Sequence, residues 1–447
     1  MKIRKGYSDI LSLTWPIYIE SFLRMLLGNV NIFMLSKFSD QAVGAVGVSN
    51  QLINMLYVMY GIVSLGTAIT VSQYVGAGQL KMASKVANVS LAINLIFGLV
   101  ASILLIIVAP FILSMMNLTP QIQELGYQYL SIVGGMSFTQ ALMSAMSAIS
   151  RSYGYTQFPM FVAFGVNISN VIGNYICIFQ PFGLPVLGVR GVAVSLILSQ
   201  TLGVIMLAAV LKRNIGIHFS FKNFRPFPTD ILKGILKIGT PAAGESIAYT
   251  LSQIATTYIV ASFGAYAITG IVYVQNITNF VGTISYSIGQ GTQILIGHLV
   301  GAGKMKEAYD TGFRNSRLAL IVGSVVSLTV ILFRFQLLSL FTNDEKIINA
   351  VSMLFIINMF IEMARSFNHS LGNGLRASGD VRFPMMVAII SMWGISVSLC
   401  YILGSKLNMA LMGIWIAYAV DESVRATIFI KRWKSKVWQN KRIVVDN

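Results

Sequence analysis

Residues 71–85 read VSQYVGAGQLKMASK, and residues 296–310 read IGHLVGAGKMKEAYD. VGAG stands at 75–78 and again at 300–303, each time with a lysine three residues on, Lys81 and Lys306. Sliding the chain against itself by the same 225 residues brings Pro16 onto Pro241, Glu20 onto Glu245, Ser21 onto Ser246, Phe38 onto Phe263 and Gly66-Thr67 onto Gly291-Thr292. Beyond VGAG the register pairs Gly98 with Gly323, Arg151 with Arg376, Gly154 with Gly379, and Phe158-Pro159-Met160 with Phe383-Pro384-Met385. Small and apolar residues often match by chance in an apolar chain. One gap-free register that also aligns Pro, Glu, Arg and a tetrapeptide marks an internal duplication.

The duplicated unit is a membrane one. Apolar residues make up 55% of the 447 and charged residues 11%, with mean hydropathy +0.73; a soluble domain carries about 25% charged residues. Val86 to Met116 and Phe383 to Ser405 hold no charge at all, and roughly 20 apolar residues cross a bilayer core. Twelve spans are expected, at 10–35, 43–76, 84–110, 122–148, 159–180, 189–211, 235–260, 266–300, 310–333, 346–371, 383–404 and 409–430. Lys37, Arg190, Arg334, Lys346 and Lys406 fall on one set of loops and Arg24, Arg365 and Arg425 inside spans; the other Lys and Arg, including both termini, lie on the opposite set. Positive loops face the cytoplasm, so both termini lie inside and the net charge of +17 is a topology signal rather than a nucleic-acid one.

The expected fold is therefore an all-α membrane protein of twelve transmembrane helices in two six-helix lobes, the termini cytoplasmic. Six is even, so the lobes insert the same way up and are parallel repeats about an axis along the membrane normal. The sequence divides into a lobe at 1–211, a basic linker at 212–234 containing two prolines and two glycines, a lobe at 235–433 and a basic tail at 434–447. Two like-oriented lobes are a transporter layout: a cavity between repeats, opened to alternate sides by rocking. A channel or a large receptor is the other reading.

VGAG reads as the cytoplasmic turn after the long second helix of each lobe, where glycine permits positive φ and close packing. GAGKMK has part of a phosphate loop, but no GxxxxGK[ST] and no preceding strand. The two cysteines, Cys177 and Cys400, lie inside spans and form neither a disulfide framework nor a CxxC site. No HExxH, GxSxG or Cys/His cluster suggests an enzyme, and no cofactor is expected. The basic N-terminus leads into an apolar stretch without a small-residue cleavage site, so a retained first span is expected rather than a signal peptide.

Ionisable groups inside spans are functional candidates. Glu20–Arg24 and Asp421–Arg425 stand at i, i+4, and Glu362–Arg365 at i, i+3 with His369 one turn beyond, so each is also a candidate structural pair. Glu245 differs, because Tyr249 occupies the position matching Arg24 and no base lies within a turn of it. A carboxylate without a cation would bind a proton or Na⁺; the alternative is a capped polar residue near the Pro241 kink. Glu20, Leu27 and Asn31 share a helical face. Asn50-Gln51 and Gln275-Asn276 put amides in the second helix of each lobe, as cavity lining or as interhelical hydrogen bonds. Met55, Met59, Met136, Met143 and Met146 suit an adaptable cavity or plain packing.

The stretches PIYIESFLRMLLGNVNIFMLSKFSDQAVGAVGVSNQ, IGTPAAGESIAYTLSQIATTYIVASFGAYAITGIV, SQYVGAG and RASGDVRFPM resemble the multidrug and toxic compound extrusion (MATE) transporters across essentially the whole chain. The resemblance implies a 6+6 fold with alternating access and export of organic, often cationic and amphipathic compounds against inward Na⁺ or H⁺. Family members often carry Asp in the first span where NVNIFM has Asn31; Asn can ligate Na⁺ but cannot take up a proton. The candidate coupling-ion residues are then Glu245, Glu20, Asn31 and Glu362. The candidate substrate-cavity residues are Asn50, Gln51, Gln275, Asn276, Arg365, His369 and Tyr249. Expected partners are a small-molecule substrate, membrane lipid and a coupling cation, with a monomer in the cytoplasmic membrane of a bacterium. Two alternatives stand beside this. A lipid-linked oligosaccharide flippase of the same superfamily needs a strongly cationic cavity, and a transport-inactive receptor has Asn31 as its support.

Overall fold

The computed structural model describes residues 7–116, 118–179, 181, 187–217 and 228–444. The parts of the terminal and linker readings that fall on 1–6, 218–227 and 445–447 lie outside the described residues. Everything regular among the described residues is helical: α1 (Tyr7–Ser36), α2 (Asp40–Gly76), α3 (Leu80–Met115), α4 (Pro120–Val133), α5 (Phe138–Ser152), α6 (Gln157–Phe179), α7 (Gly188–Val210), α8 (Thr229–Ala261), α9 (Ala265–Gly301), α10 (Met305–Leu332), α11 (Arg334–Ser339), α12 (Glu345–Ser352), α13 (Leu354–Ser378), α14 (Arg382–Ser391) and α15 (Ala410–Lys434). One π-helical turn extends α7, two π-helical stretches (Met392–Val397 and Cys400–Lys406) extend α14, and a 3-10 turn follows α15.

Each expected span has its helix. The fourth is α4 and α5, bent by 49° at Gly134-Gly135; a Cβ at Gly134 would meet Leu105 Cδ2 at 2.5 Å. The tenth is α12 with α13, and the eleventh is α14 with its π-helical continuation. Eight helices are long and apolar enough to cross a membrane by composition, and the bent pair makes a ninth. The long helices α8, α9 and α15 fall short of that composition because they carry Glu245, a run of amides and hydroxyls, and the Asp421-Glu422 pair respectively. Thr119 caps α4, accepting from Ile122 N with Pro120 at the first position, and Asp344 caps α12 from its side chain. The linker is shorter than expected on its C-terminal side: residues 229–234 already belong to α8, opened by Asp230 in its first turn.

The chain forms two compact units. The first comprises Ile19–Val71 and Gln79–Gly239, the second Met1–Tyr18, Ser72–Gly78 and Thr240–Asn447. The start of α1 thus packs with the second unit and the start of α8 with the first. Glycine spacing explains both. In the second unit a Cβ at Gly291 would sit 2.8 Å from Thr14 Oγ1 and 2.9 Å from Ile10 Cδ1; in the first, one at Gly66 would sit 2.3 Å from Ile235 O. These are the same contact in two copies, Ile10 and Ile235 being repeat-mates like Gly66 and Gly291.

VGAG does the same job in both copies. Gly78 (φ 73) and Gly303 (φ 74) make the turn. Within the second unit, the end of α2 crosses the end of α9: a Cβ at Gly76 would lie 2.1 Å from His298 O, and one at Gly301 2.0 Å from Gln73 O. Backbone meets backbone there, so only glycine fits.

In the first unit, Leu35, Val46, Ile53, Leu113, Leu130 and Val192 belong to one core cluster; in the second, Val260, Val274, Phe355, Ile414 and Trp415 do so. Large apolar side chains such as Phe33, Ile107, Phe111, Ile254, Ile321 and Ile390 remain exposed, as hydrocarbon-facing residues do.

Candidate functional site

Each unit holds its own polar interior. In the first, Glu20 is 5% exposed and takes Arg151 Nη1 at 2.7 Å and Arg24 Nη2 at 3.2 Å. Arg24 is itself 63% exposed, so Arg151 is the partner that holds the buried carboxylate. The i, i+4 pair expected from sequence forms, but it is the outer half of a triad.

Farther along α1, Asn31 Oδ1 accepts from Asn174 Nδ2 at 2.8 Å, and Asn170 Nδ2 reaches Ser195 Oγ at 3.4 Å. Asn167 Nδ2 donates to Leu23 O at 2.9 Å. This amide ladder runs down one stripe of α6 and contains no acid. Beside it lies a cavity of about 360 Å³, lined by Asn31, Asn50, Asn54, Asn167, Gln140 and Gln200 among apolar walls, with Arg24 as its charged member. Asn31 and Asn50 therefore reach a cavity; Gln51 and Glu20 do not line it.

In the second unit Glu245 has a cation after all, which corrects the reading from sequence. Arg376 Nη2 stands 2.6 Å from both carboxylate oxygens of Glu245, while Arg376 Nη1 donates to Asn373 Oδ1 at 2.9 Å. No base lies within one helical turn of Glu245 along α8; the partner arrives from α13, 131 residues away. Glu20–Arg151 has the same separation, so the two part-buried pairs are copies of one another. The sequence register already aligned Glu20 with Glu245 and Arg151 with Arg376. The contact within each copy was the missing step.

The second unit adds a charge cluster with no counterpart in the first. Arg365 bridges two acids, with Nη1 to Glu362 Oε1 at 2.9 Å and Nε to Glu422 Oε1 at 3.1 Å. Glu422 also takes Asn368 Nδ2 at 2.6 Å. Asp421 is paired with Arg425 and accepts from Ser391 Oγ. Three carboxylates thus share two guanidinium groups. Glu362 is completely buried; Arg365 reaches only its Oε1, and Ser285 Oγ faces the carboxyl.

A cavity of about 210 Å³ adjoins the cluster, lined by Tyr249, Gln275, Arg365, Asp421, Glu422 and Arg425, with Met392 and Ser396 from the first π-helical stretch. π-helical turns recur at functional sites. Gln275, Tyr249 and Arg365, three of the candidates from sequence, line this cavity. Asn276 does not line it, and His369 packs edge-on against Tyr286, centroids 5.9 Å apart, outside the lining. Glu422 and Asp421, both charges inside a span, are not among the candidate cavity residues from sequence, yet both line the cavity. Their signal was an acid pair in the middle of an apolar span.

A family model described as MatE matches residues 16–176 and 241–402. The chain belongs to the MATE family of transporters. The two matched segments fall on the two copies of the repeat. Among relatives, the transporter YisQ of Bacillus subtilis is 42% identical over 433 residues, 97% of this chain and 95% of that one. A probable multidrug resistance protein NorM of Thermotoga maritima is 26% identical over 443 residues, 99% and 95% of the two chains. Solved structures share the fold. An outward-facing multidrug resistance MATE transporter of the MOP superfamily superposes with a TM-score of 0.87 at 19% identity, covering 96% of each chain. A MOP superfamily transporter from Pyrococcus furiosus does so at 0.87 and 18%, covering 96% of this chain and 95% of its own. MATE membership makes this a multi-pass protein of the bacterial cytoplasmic membrane that handles a small-molecule substrate. The arginines inside spans, Arg24, Arg365 and Arg425, are each ion-paired with a carboxylate, so the strongly cationic cavity that a pyrophosphate carrier would need finds no support among the described residues.

Proposed function

We propose that this MATE transporter is a cation-coupled antiporter that exports organic amphipathic molecules in exchange for one Na⁺ or H⁺. The observation that carries this reading is the imbalance in the second unit: three carboxylates, of which Glu362 and Asp421 are buried, share two guanidinium groups, and no guanidinium reaches Glu362 Oε2. A surplus negative charge in the membrane is costly and is neutralised most directly by one bound cation. Of the four coupling candidates from sequence, Glu362 leads. Glu20 and Glu245 have a guanidinium on both carboxylate oxygens, Arg365 reaches only one oxygen of Glu362, and Asn31 carries no charge.

The first-unit cavity, at about 360 Å³, is within the size range of small-molecule sites, and its amides and apolar walls suit an amphipath. It offers a cationic group no carboxylate. A positively charged cargo would find its counter-charge at Glu422 and Asp421, where it competes with the coupling ion. Competition for one set of carboxylates is the simplest physical basis of antiport. The multidrug names of relatives such as the Thermotoga maritima NorM protein support this substrate class.

The test is Glu362→Gln in membrane vesicles loaded with a panel of cationic dyes, under an imposed Na⁺ gradient in one arm and a pH gradient in the other. Expression should persist and gradient-driven efflux should vanish in the arm that drives the parent. Efflux unchanged in that arm would refute Glu362 as the coupling group.

A further inference from the structure

The ordered chain continues past α15 and folds back. Lys436 adopts a left-handed backbone with φ 59, turning the chain into the single 3-10 turn at Val437–Lys441. Trp438 is fully buried. It stacks on Trp433 with ring centroids 4.1 Å apart and 9° between planes, and its Nε1 donates to Trp433 O at 3.0 Å. The tail backbone then runs against the α13–α14 turn so closely that a Cβ at Gly379, φ 100, would lie 2.1 Å from Lys441 O.

The next two residues reach the crossing of α2 and α9. Arg442 Nη2 donates to Gly301 O, at the end of α9, at 2.6 Å. A guanidinium at the last carbonyl of a helix meets the negative end of its dipole. Ile443 N donates to Gln73 Oε1 on α2 at 2.9 Å, and the other end of that amide, Nε2, donates to Ala377 O at 2.7 Å. Gln73 is fully buried, so its side-chain amide is bound at both ends by the tail and by α13. The tail therefore grips both members of the crossing, α9 through Arg442 and α2 through Ile443. By the charge pattern of the loops this crossing is at the cytoplasmic end.

We infer that residues 437–444 are a clasp that holds the cytoplasmic ends of α2 and α9 together and must let go before they part. In a transporter of alternating access, to which reading the inference adds this element of control, their parting belongs to opening toward the cytoplasm. The clasp consists of a few hydrogen bonds and one stacked ring pair at the water-facing end of the bundle. Water can replace the hydrogen bonds as they break, which makes it reversible.

The experiment places spin labels at Ala77→Cys and Ala302→Cys, on the two VGAG turns, in the full chain with Cys177→Ala and Cys400→Ala, reconstituted in lipid nanodiscs. Pulsed dipolar distances are compared for the parent, for Arg442→Ala and for a chain ending at Lys436. The parent should give one short distance. Arg442→Ala should add a longer component, and the shortened chain should populate it more, while Arg442→Lys restores part of the short one. Identical distributions in parent and Arg442→Ala, with equal unfolding temperatures, overturn the clasp, whether or not the shortened chain folds. The distance readout needs no transport. A parent that shows no gradient-driven efflux while its distances respond sinks the transport reading and leaves the clasp standing.

Discussion

Arg376 holds Glu245 from another helix, its Nη2 at 2.6 Å from each carboxylate oxygen. Arg151 holds Glu20 from the matching helix, its Nη1 2.7 Å from Oε2. Both pairs join the first helix of a repeat to the helix just before its RxxG turn, so the duplicated chain carries a duplicated ionic tie. Removing one partner of such a part-buried pair leaves an uncompensated charge and costs up to roughly 3–5 kcal/mol, the figure for a fully buried pair.

Arg151→Gln, which strands the buried Glu20 carboxylate, should destabilise by up to about 3–5 kcal/mol, and Arg376→Gln, whose Glu245 is part-exposed, by less, read from unfolding in detergent. Arg24→Gln, on a largely exposed side chain, should cost at most about 1 kcal/mol. Pairing Glu245→Gln with Arg376→Gln should recover much of the single-mutant loss. A double variant no more stable than Arg376→Gln alone would show that the tie is incidental.

The amide ladder of the first unit should behave as neutral scaffolding. Asn31→Ala removes the acceptor for Asn174 Nδ2 and should cost about 1 kcal/mol, the scale of an interhelical hydrogen bond in a membrane. The dependence of efflux on the driving gradient should stay that of the parent. A changed ion dependence in Asn31→Ala would move the coupling site into the first unit.

The two glycines of the first VGAG should separate close packing from backbone strain. Gly76→Ala drives a Cβ into the His298 backbone and should cost about 1–3 kcal/mol, as overpacking does. Gly78→Ala meets nothing within 4 Å and should lose only the preference for positive φ, about 1 kcal/mol. Thermal unfolding of the two variants side by side checks the order, and equal losses would mean that α2 and α9 do not cross tightly here.

What was legible in the sequence was what is local or periodic. The spans could be read because the bilayer imposes length and apolarity on each helix separately. The repeat could be read because one register carries Pro, Glu, Arg and VGAG together. Both VGAG turns are where they were expected, and the i, i+4 pairs Glu20–Arg24 and Asp421–Arg425 form. Glu245 was misread because a search confined to one helical turn cannot see a partner that packing supplies from α13.

The sequence by itself determined the helical spans and their duplication, since hydropathy and register are written residue by residue. Only the tertiary structure decided which charges neutralise one another. It assigned Arg376 to Glu245, gave Glu362 a guanidinium on one oxygen only and seated the tail on Gln73 and Gly301. The physical reason is range: a buried ion pair or a backbone crossing depends on distances of about 3 Å between groups 57 to 370 residues apart in the chain, and no local pattern encodes them.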